Sequence, residues 1–400
     1  MRFELRGLSW WFCVMLFAIT IGCSSFEQPK AKDPFSEREV KEHDAALEFV
    51  DKKWKEITGR SPNREVAQKL CAEAKSQYEE AIRLRAEDAD ASQAKFLEAA
   101  ANFAEAAVRW PDSALEEESL YLSGESYFFA DEYPQAEDSY GRLLKQYPRT
   151  QFLDQIQARR FSIAQYWLDV DRQNHESFFT VNLTDDSKPW HDTFGNSMHV
   201  YDRIRLDDPT GKLADDATLA LGNAYFERKK FIKADEYYTD LRKTFPSSDH
   251  QFRAHFLGLK SKLESYQGAE YAGATLDEAD KLLRQIIRQF PVESQQEKEF
   301  LSRAGSEIRF RLAEREWNRG SFHDRKAEYG AARIYYNTIV NNYSDTPFAE
   351  NARTRLEEIR GEPDVPPQRM KWLVDLFPQR QTVRPLIATQ STSSGTTKRR

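Results

Sequence analysis

The sequence predicts an all-α chain: a solenoid of helix-turn-helix pairs followed by a disordered C-terminal tail. Two observations carry this. Gly124, Tyr127, Ala136, Tyr140, Leu143 and Pro148 return in identical spacing as Gly222, Tyr225, Ala234, Tyr238, Leu241 and Pro246, each 98 residues later. Between Phe35 and Arg360 the chain is Ala-rich, mostly charged and periodic at 3.6 residues, with strand signals nearly absent.

The repeated spacing has a physical meaning. Gly and Tyr three apart share a face of a first helix, and Ala, Tyr and Leu at i, i+4 and i+7 share a face of a second. The small residues let two helix backbones approach while the Tyr rings fill the wedge beside them. Pro then ends the second helix, having no N–H to donate. These positions resemble the tetratricopeptide repeat, a two-helix unit of about 34 residues. Repeats of this kind bind polypeptides far more often than they catalyse. An ordinary helical bundle also carries an apolar stripe, but not small, aromatic and Pro positions at fixed offsets.

Weaker copies follow in the same phase. Ala99, Phe103, Ala106 and Pro111 match the second-helix half, as do Ser197, Tyr201, Ile204 and Pro209, and Ala279, Leu283, Ile286 and Pro291. Ala332, Tyr336 and Ile339 match it with Ser344 in the Pro slot. An aromatic precedes that slot at Trp110, Tyr147, Phe245, Phe290 and Tyr343, whereas Asp208 stands there in the remaining copy. Five to six irregular repeats with insertions are expected over residues 36–360.

The N-terminus has its own pattern. Arg2 and Arg6 precede an apolar run from Leu8 to Ile21 that is short for a bilayer span, which needs about 20 residues. It ends in Ile19-Thr20-Ile21-Gly22-Cys23-Ser24, which resembles a bacterial lipoprotein signal peptide, with Thr20 where Leu is usual. An ordinary cleaved signal and an uncleaved anchor are the alternatives. The resemblance implies removal of residues 1–22 and lipidation of Cys23 by a diacylglyceryl thioether and an acylated amine, more than one chain giving stable anchoring. Ser24 after that Cys resembles lipoproteins sent on to an outer membrane. Residues 23–35 read as a tether. Cys13 leaves with the signal, so Cys71 has no intrachain partner and reads as a buried structural thiol.

At the other end, Ser344-Asp345-Thr346-Pro347 is a helix start, with a capping hydroxyl and Pro in the first turn. Ala349, Ala352, Leu356 and Ile359 form its buried stripe, suited to closing the edge of a repeat array. Residues 361–400 form a basic, Pro-, Ser- and Thr-rich tail expected to be disordered. Within it Trp372, Leu373, Leu376 and Phe377, beside Met370, are either a docking motif or packing for the last repeat.

The whole chain carries a net charge of −7, and the chain beginning at Cys23 would carry −8. An acidic chain of this kind is not a nucleic-acid binder. None of its seven His sits in a two-His helix-face metal motif. The insertion at 171–196 holds His175, Glu176, Asp185, Asp186, His191 and Asp192, in a spacing that matches no ligand pattern. Asn182-Leu183-Thr184 fits a glycosylation acceptor that a bacterial lipoprotein would not normally use. No phosphate loop, nucleophile elbow or Cys pair is present, and neither cofactor nor metal is expected.

Candidate partner positions lie on the first helix of each clear repeat, beside the packed face: Tyr121, Glu125 and Phe128, and Leu219, Asn223 and Phe226. In some peptide-binding relatives an Asn at the place of Asn223 grips a peptide backbone or carboxylate; the Lys and Arg partners of that clamp are missing here. The competing role for all six is packing between repeats.

A lipidated N-terminus followed by about five such repeats resembles the BamD family, lipoprotein subunits of the outer-membrane β-barrel assembly machine, over roughly residues 15–360. The resemblance implies a non-enzymatic scaffold on the periplasmic face of the outer membrane, lipid-anchored, whose partners are assembly subunits or unfolded barrel proteins. A periplasmic adaptor for peptidoglycan or secretion machinery keeps the fold and changes the task. An enzyme or metal protein built on the 171–196 loop is the third possibility.

Overall fold

The structure, a computed structural model, describes residues 61–174, 181–182, 184–269, 273–367 and 370–376. The signal, Cys23, the tether and Phe377 lie outside the described residues. All regular structure among the described residues is helical, and the chain divides into two compact units after Ala130.

The first unit contains α1 (Arg64–Leu84), α2 (Ala89–Arg109) and α3 (Ala114–Phe129). Each begins at a side chain that accepts an orphan backbone N–H: Asn63 from Val66, Asp88 from Ala91 and Ser113 from Glu116. The residues between α1 and α2 are small, which lets long helices lie close. Ala74, Ala99, Phe103 and Ala106 are completely buried, and Cys71 packs beside them as the expected inert thiol. Two hydroxyls cross between helices: Ser92 donates to the Ala81 carbonyl at 2.8 Å and Ser123 to that of Ala100 at 3.2 Å.

The second unit runs through α4 (Tyr133–Gln146), α5 (Leu153–Asn174), α6 (Thr193–Asp207), α7 (Ala214–Glu227), α8 (Phe231–Thr244), α9 (Gln251–Glu264) and α10 (Ala274–Gln289). It continues with α11 (Pro291–Gln296), α12 (Lys298–Arg325), α13 (Tyr329–Asn342), α14 (Pro347–Glu358) and α15 (Lys371–Leu376). From α4 to α9 each helix that packs does so on its neighbours in sequence, α10 packs also on α12, and α12, α13 and α14 form a closing trio.

The Gly–Tyr pairing anticipated at residues 222 and 238 is present. A methyl group on Gly222 would lie 2.6 Å from the Tyr238 ring, closer than carbon atoms can approach. The structure adds a copy that the sequence reading did not complete: a methyl on Gly320 would lie 2.7 Å from Tyr336. Gly320 and Tyr336 stand another 98 residues on, so the period recurs a third time. It extends to the backbone. Asp131, Lys229 and Ala327, spaced by 98, all have positive φ, at 61°, 57° and 59°. At the last two the next N–H reaches back five residues, Lys230 to the Tyr225 carbonyl at 2.9 Å and Glu328 to that of His323 at 3.0 Å. This is a left-handed helix end usually made with Gly.

The aromatic residues before the Pro slot act as C-caps. The N–H groups of Tyr147, Phe245, Phe290 and Tyr343 donate to the carbonyls of Leu143, Leu241, Ile286 and Ile339 at 2.7 to 3.0 Å. Pro291 does more than end α10, since it occupies the first turn of α11. The closing helix α14 starts at Pro347 as expected, but no side chain caps it; the Thr346 hydroxyl donates instead to the Tyr343 carbonyl at 2.8 Å. Past α14 the chain folds back onto α13, where Arg333 donates to the Ile359 carbonyl at 2.6 Å and pairs with Asp364.

These contacts set two expectations for urea denaturation. Gly222→Ala and Gly320→Ala should each cost about 1–3 kcal/mol, because the ring behind the new methyl has no room to withdraw. Ala327→Gly should stabilise by about 0.5–1 kcal/mol, by relieving a left-handed conformation that Cβ disfavours.

Candidate functional site

The six positions expected to line a partner groove are largely engaged within the fold. On α3, Glu125 is buried, while Tyr121 and Phe128 are half-buried. On α7, Leu219 is a core residue packed with Ala234, Tyr238, Leu241 and Ala254. Asn223 accepts the Tyr238 hydroxyl at 2.9 Å, so its side-chain carbonyl already holds a donor. Phe226 stands edge-on to Phe231 with centroids 5.3 Å apart. The reason is the buried Tyr, whose ring needs cover and whose hydroxyl needs a partner. The third copy repeats the solution: Trp317, 98 residues after Leu219, lies 5.1 Å from the Tyr336 ring, and the Tyr336 hydroxyl donates to Asp324 at 3.1 Å.

The open concavity of the second unit lies elsewhere, along α8, α9 and α10. It is a hollow of ≈ 1310 Å³. Its wall is held by one amine: Lys262 on α9 donates to Asp235 on α8 and to Glu278 on α10, both at 2.6 Å. Arg242 is fixed beside it by the Ala254 carbonyl at 2.9 Å and the Thr239 hydroxyl at 2.6 Å. Arg205, Lys243, Lys281 and Gln285 add polar groups to the lining.

Two acceptors in this hollow lack donors. His255 is buried, and its Nδ1 sits 2.8 Å from the Gln251 carbonyl, which assigns the proton to Nδ1 and leaves Nε2 as an acceptor. Burial pushes the imidazole below its ordinary pKa and keeps it neutral. Nε2 has no hydrogen-bond partner, and Oδ1 of Asp235 has none either, only an ion pair with Arg242 Nη2 at 3.9 Å. An unsatisfied buried acceptor costs about 1–3 kcal/mol. The sequence carried no sign of this hollow, because its residues come from four helices and the turn between α8 and α9, with no common spacing.

Beside α7 and α8 is a different surface. The rings of Tyr225 and Tyr237 stack at 5.5 Å, and Phe194 meets Tyr225 edge-on at 5.9 Å. Arg228 lies over Phe194 at 4.5 Å, and Lys233 over Tyr225 at 5.3 Å. Desolvation pushes the Tyr237 hydroxyl up to about 12.

The remaining expected positions stand as follows. Trp372 and Leu376 on α15 are exposed, with Met370, and Leu373 is half-buried. In the 171–196 insertion, Asp171 is buried and holds Arg228, while Asp185 bonds Ser187 and Lys188. The metal-like grouping among the described residues is Asp215, Asp249 and His250, where His250 Nε2 is already 2.7 Å from Asp216.

Residues 191–362 match the family described as outer membrane lipoprotein (YfiO), and residues 118–150 match a tetratricopeptide repeat. No curated protein matches the chain. The chain carries a tetratricopeptide-repeat match and resembles the BamD-like outer membrane lipoproteins.

Acidification should loosen the second unit. The Lys262 hydrogen bond holds Glu278 below its ordinary pKa, and Arg355 does the same for Asp324. A depressed folded pKa gives stability that is present above the unfolded value, near ~4, and lost as pH falls through the folded one. The urea midpoint should therefore drop on going from about pH 5 to about pH 3, and Asp324→Asn should flatten that drop.

Proposed function

We propose that this chain is a lipid-anchored scaffold of the bacterial cell envelope that serves outer-membrane β-barrel assembly in the manner of BamD. The observation that carries the reading is the outer membrane lipoprotein match over residues 191–362, which spans the helices that build the polar hollow. The lipoprotein-like sequence ending at Cys23 supports it from the other end of the chain.

In this reading the work is done by binding alone. A partner segment from an assembly subunit or an unfolded barrel protein lies against the second unit. Lys243 and Lys281 then orient its acidic groups. Tethering through Cys23 keeps the scaffold at the membrane and raises its effective concentration for partners held there. No bond is made or broken.

The test expresses the full-length chain and Cys23→Ala in a Gram-negative host, labels with radioactive palmitate, crosslinks and identifies what co-purifies. Label that depends on Cys23, together with recovery of an outer-membrane barrel protein carrying periplasmic domains, is the expected result. Recovery of cell-wall or secretion proteins alone would replace the assembly role with the adaptor role. Absence of label would remove the anchor.

A further inference from the structure

The turn between α7 and α8 is Arg228-Lys229-Lys230, with Lys233 one turn into α8. The turn conformation itself does not require Lys at these positions. The equivalent residues in the other two copies are Ala130-Asp131-Glu132 with Gln135, and Lys326-Ala327-Glu328 with Ala331. Lys229 and Ala327 share the same left-handed conformation and the same five-residue hydrogen bond, so one backbone geometry carries three cations in one copy and no net charge in the other. In a chain of net charge −7, three Lys in five residues, Lys229, Lys230 and Lys233, at one exposed turn need an explanation other than the turn geometry.

Only Arg228 has a carboxylate partner in this group among the described residues. Its Nη2 donates to both oxygens of buried Asp171 at 2.5 and 2.6 Å. Lys229, Lys230 and Lys233 are exposed and bridge to no carboxylate among the described residues. At their centre Ile232 is 62 % exposed. Two hollows meet at Lys230. One, of ≈ 350 Å³, has Phe194, Tyr225 and Met198 in its walls, and the other, of ≈ 330 Å³, has Phe231 and Tyr266. Both are at the small-ligand end of pocket sizes. The carboxylates in the first hollow are already occupied, Asp171 by Arg228 and Asp192 by the Gly195 N–H at 2.9 Å.

We propose that this turn is a docking site for an anionic phospholipid surface, with a phosphate head group seated between Lys230 and Lys233 and Ile232 entering the interface. Charge complementarity argues for an anion. The small hollows argue for a head group over a length of polypeptide, and an exposed aliphatic side chain ringed by Lys is the pattern of an interfacial contact. The site works whether or not Cys23 is acylated. It gives an acidic protein a face that an anionic membrane attracts.

The test mixes the full-length chain with vesicles containing photoreactive phosphatidylglycerol or photoreactive phosphatidylcholine and maps the crosslinked residues by mass spectrometry. Because the readout is local, it is independent of the anchor. Crosslinks at residues 229–233 in the anionic vesicles only are expected. They should fall about tenfold or more in Lys230→Glu/Lys233→Glu and persist in Lys326→Glu, the control in the next copy. Equal crosslinking of phosphatidylcholine, or equal yield at exposed Ile334, would overturn the proposal. So would protection of Lys230 from amine labelling by polyglutamate but not by vesicles, which would assign an acidic protein partner. Full protection by soluble glycerophosphate without vesicles would assign a free phosphate ester instead.

Discussion

Two helices can pair this closely only where one of them has no side chain, and the ring of a Tyr then occupies the vacated space. At Gly222 and Gly320 the ring atoms of Tyr238 and Tyr336 sit where a Cβ would be. Much else follows from burying those rings. Leu219 and Trp317 cover them, Asn223 and Asp324 accept their hydroxyls, and the left-handed turns at Lys229 and Ala327 bring the second helix back onto the first. The spacing of 98 residues is thus the period of a packing solution and extends to backbone conformation.

Between successive helices the second unit uses ions. Arg160 on α5, completely buried, clasps Glu137 on α4 through Nε and Nη2 at 2.8 and 2.6 Å and reaches Asp207 at the end of α6 at 2.7 Å. Lys262 joins α8 to α10 in the same manner, and Arg355 ties α14 to Asp324 at the end of α12. A buried cation has to be fully paired to be tolerated, and that demand fixes the register of one helix against its neighbours. Apolar packing alone would allow more sliding.

The fold was legible because its contacts are local and periodic: small residue, aromatic, terminating Pro. Gly320 was equally legible by the 98-residue step, but His323 and Ser344 replace the Tyr and Pro that mark the clearer copies. The candidate surface was much less so. Leu219, Asn223 and Phe226 share a helix face in the sequence, yet cover for a buried Tyr claims the first two and Phe231 packs on the third. The hollow along α8, α9 and α10 joins Asp235, His255 and Glu278, whose separations carry no motif. Ion clasps such as Arg160 with Glu137 and Asp207 are invisible for the same reason. The basic turn was in the sequence all along, and only alignment of its backbone with that at Ala327 shows that the turn conformation does not require its Lys residues.

Rigid pairing through Gly–Tyr contacts and register set by buried ions leave the polar hollow as a preformed surface, which suits a scaffold that recognises by shape and charge. The most direct measurement is photocrosslinking in living cells from a reactive amino acid placed at Gln285, which lines the hollow, compared with one at Ile334, which does not. Adducts with outer-membrane assembly proteins at Gln285 and not at Ile334 are the predicted result. No adducts at Gln285, or the same adducts at both positions, would contradict the account.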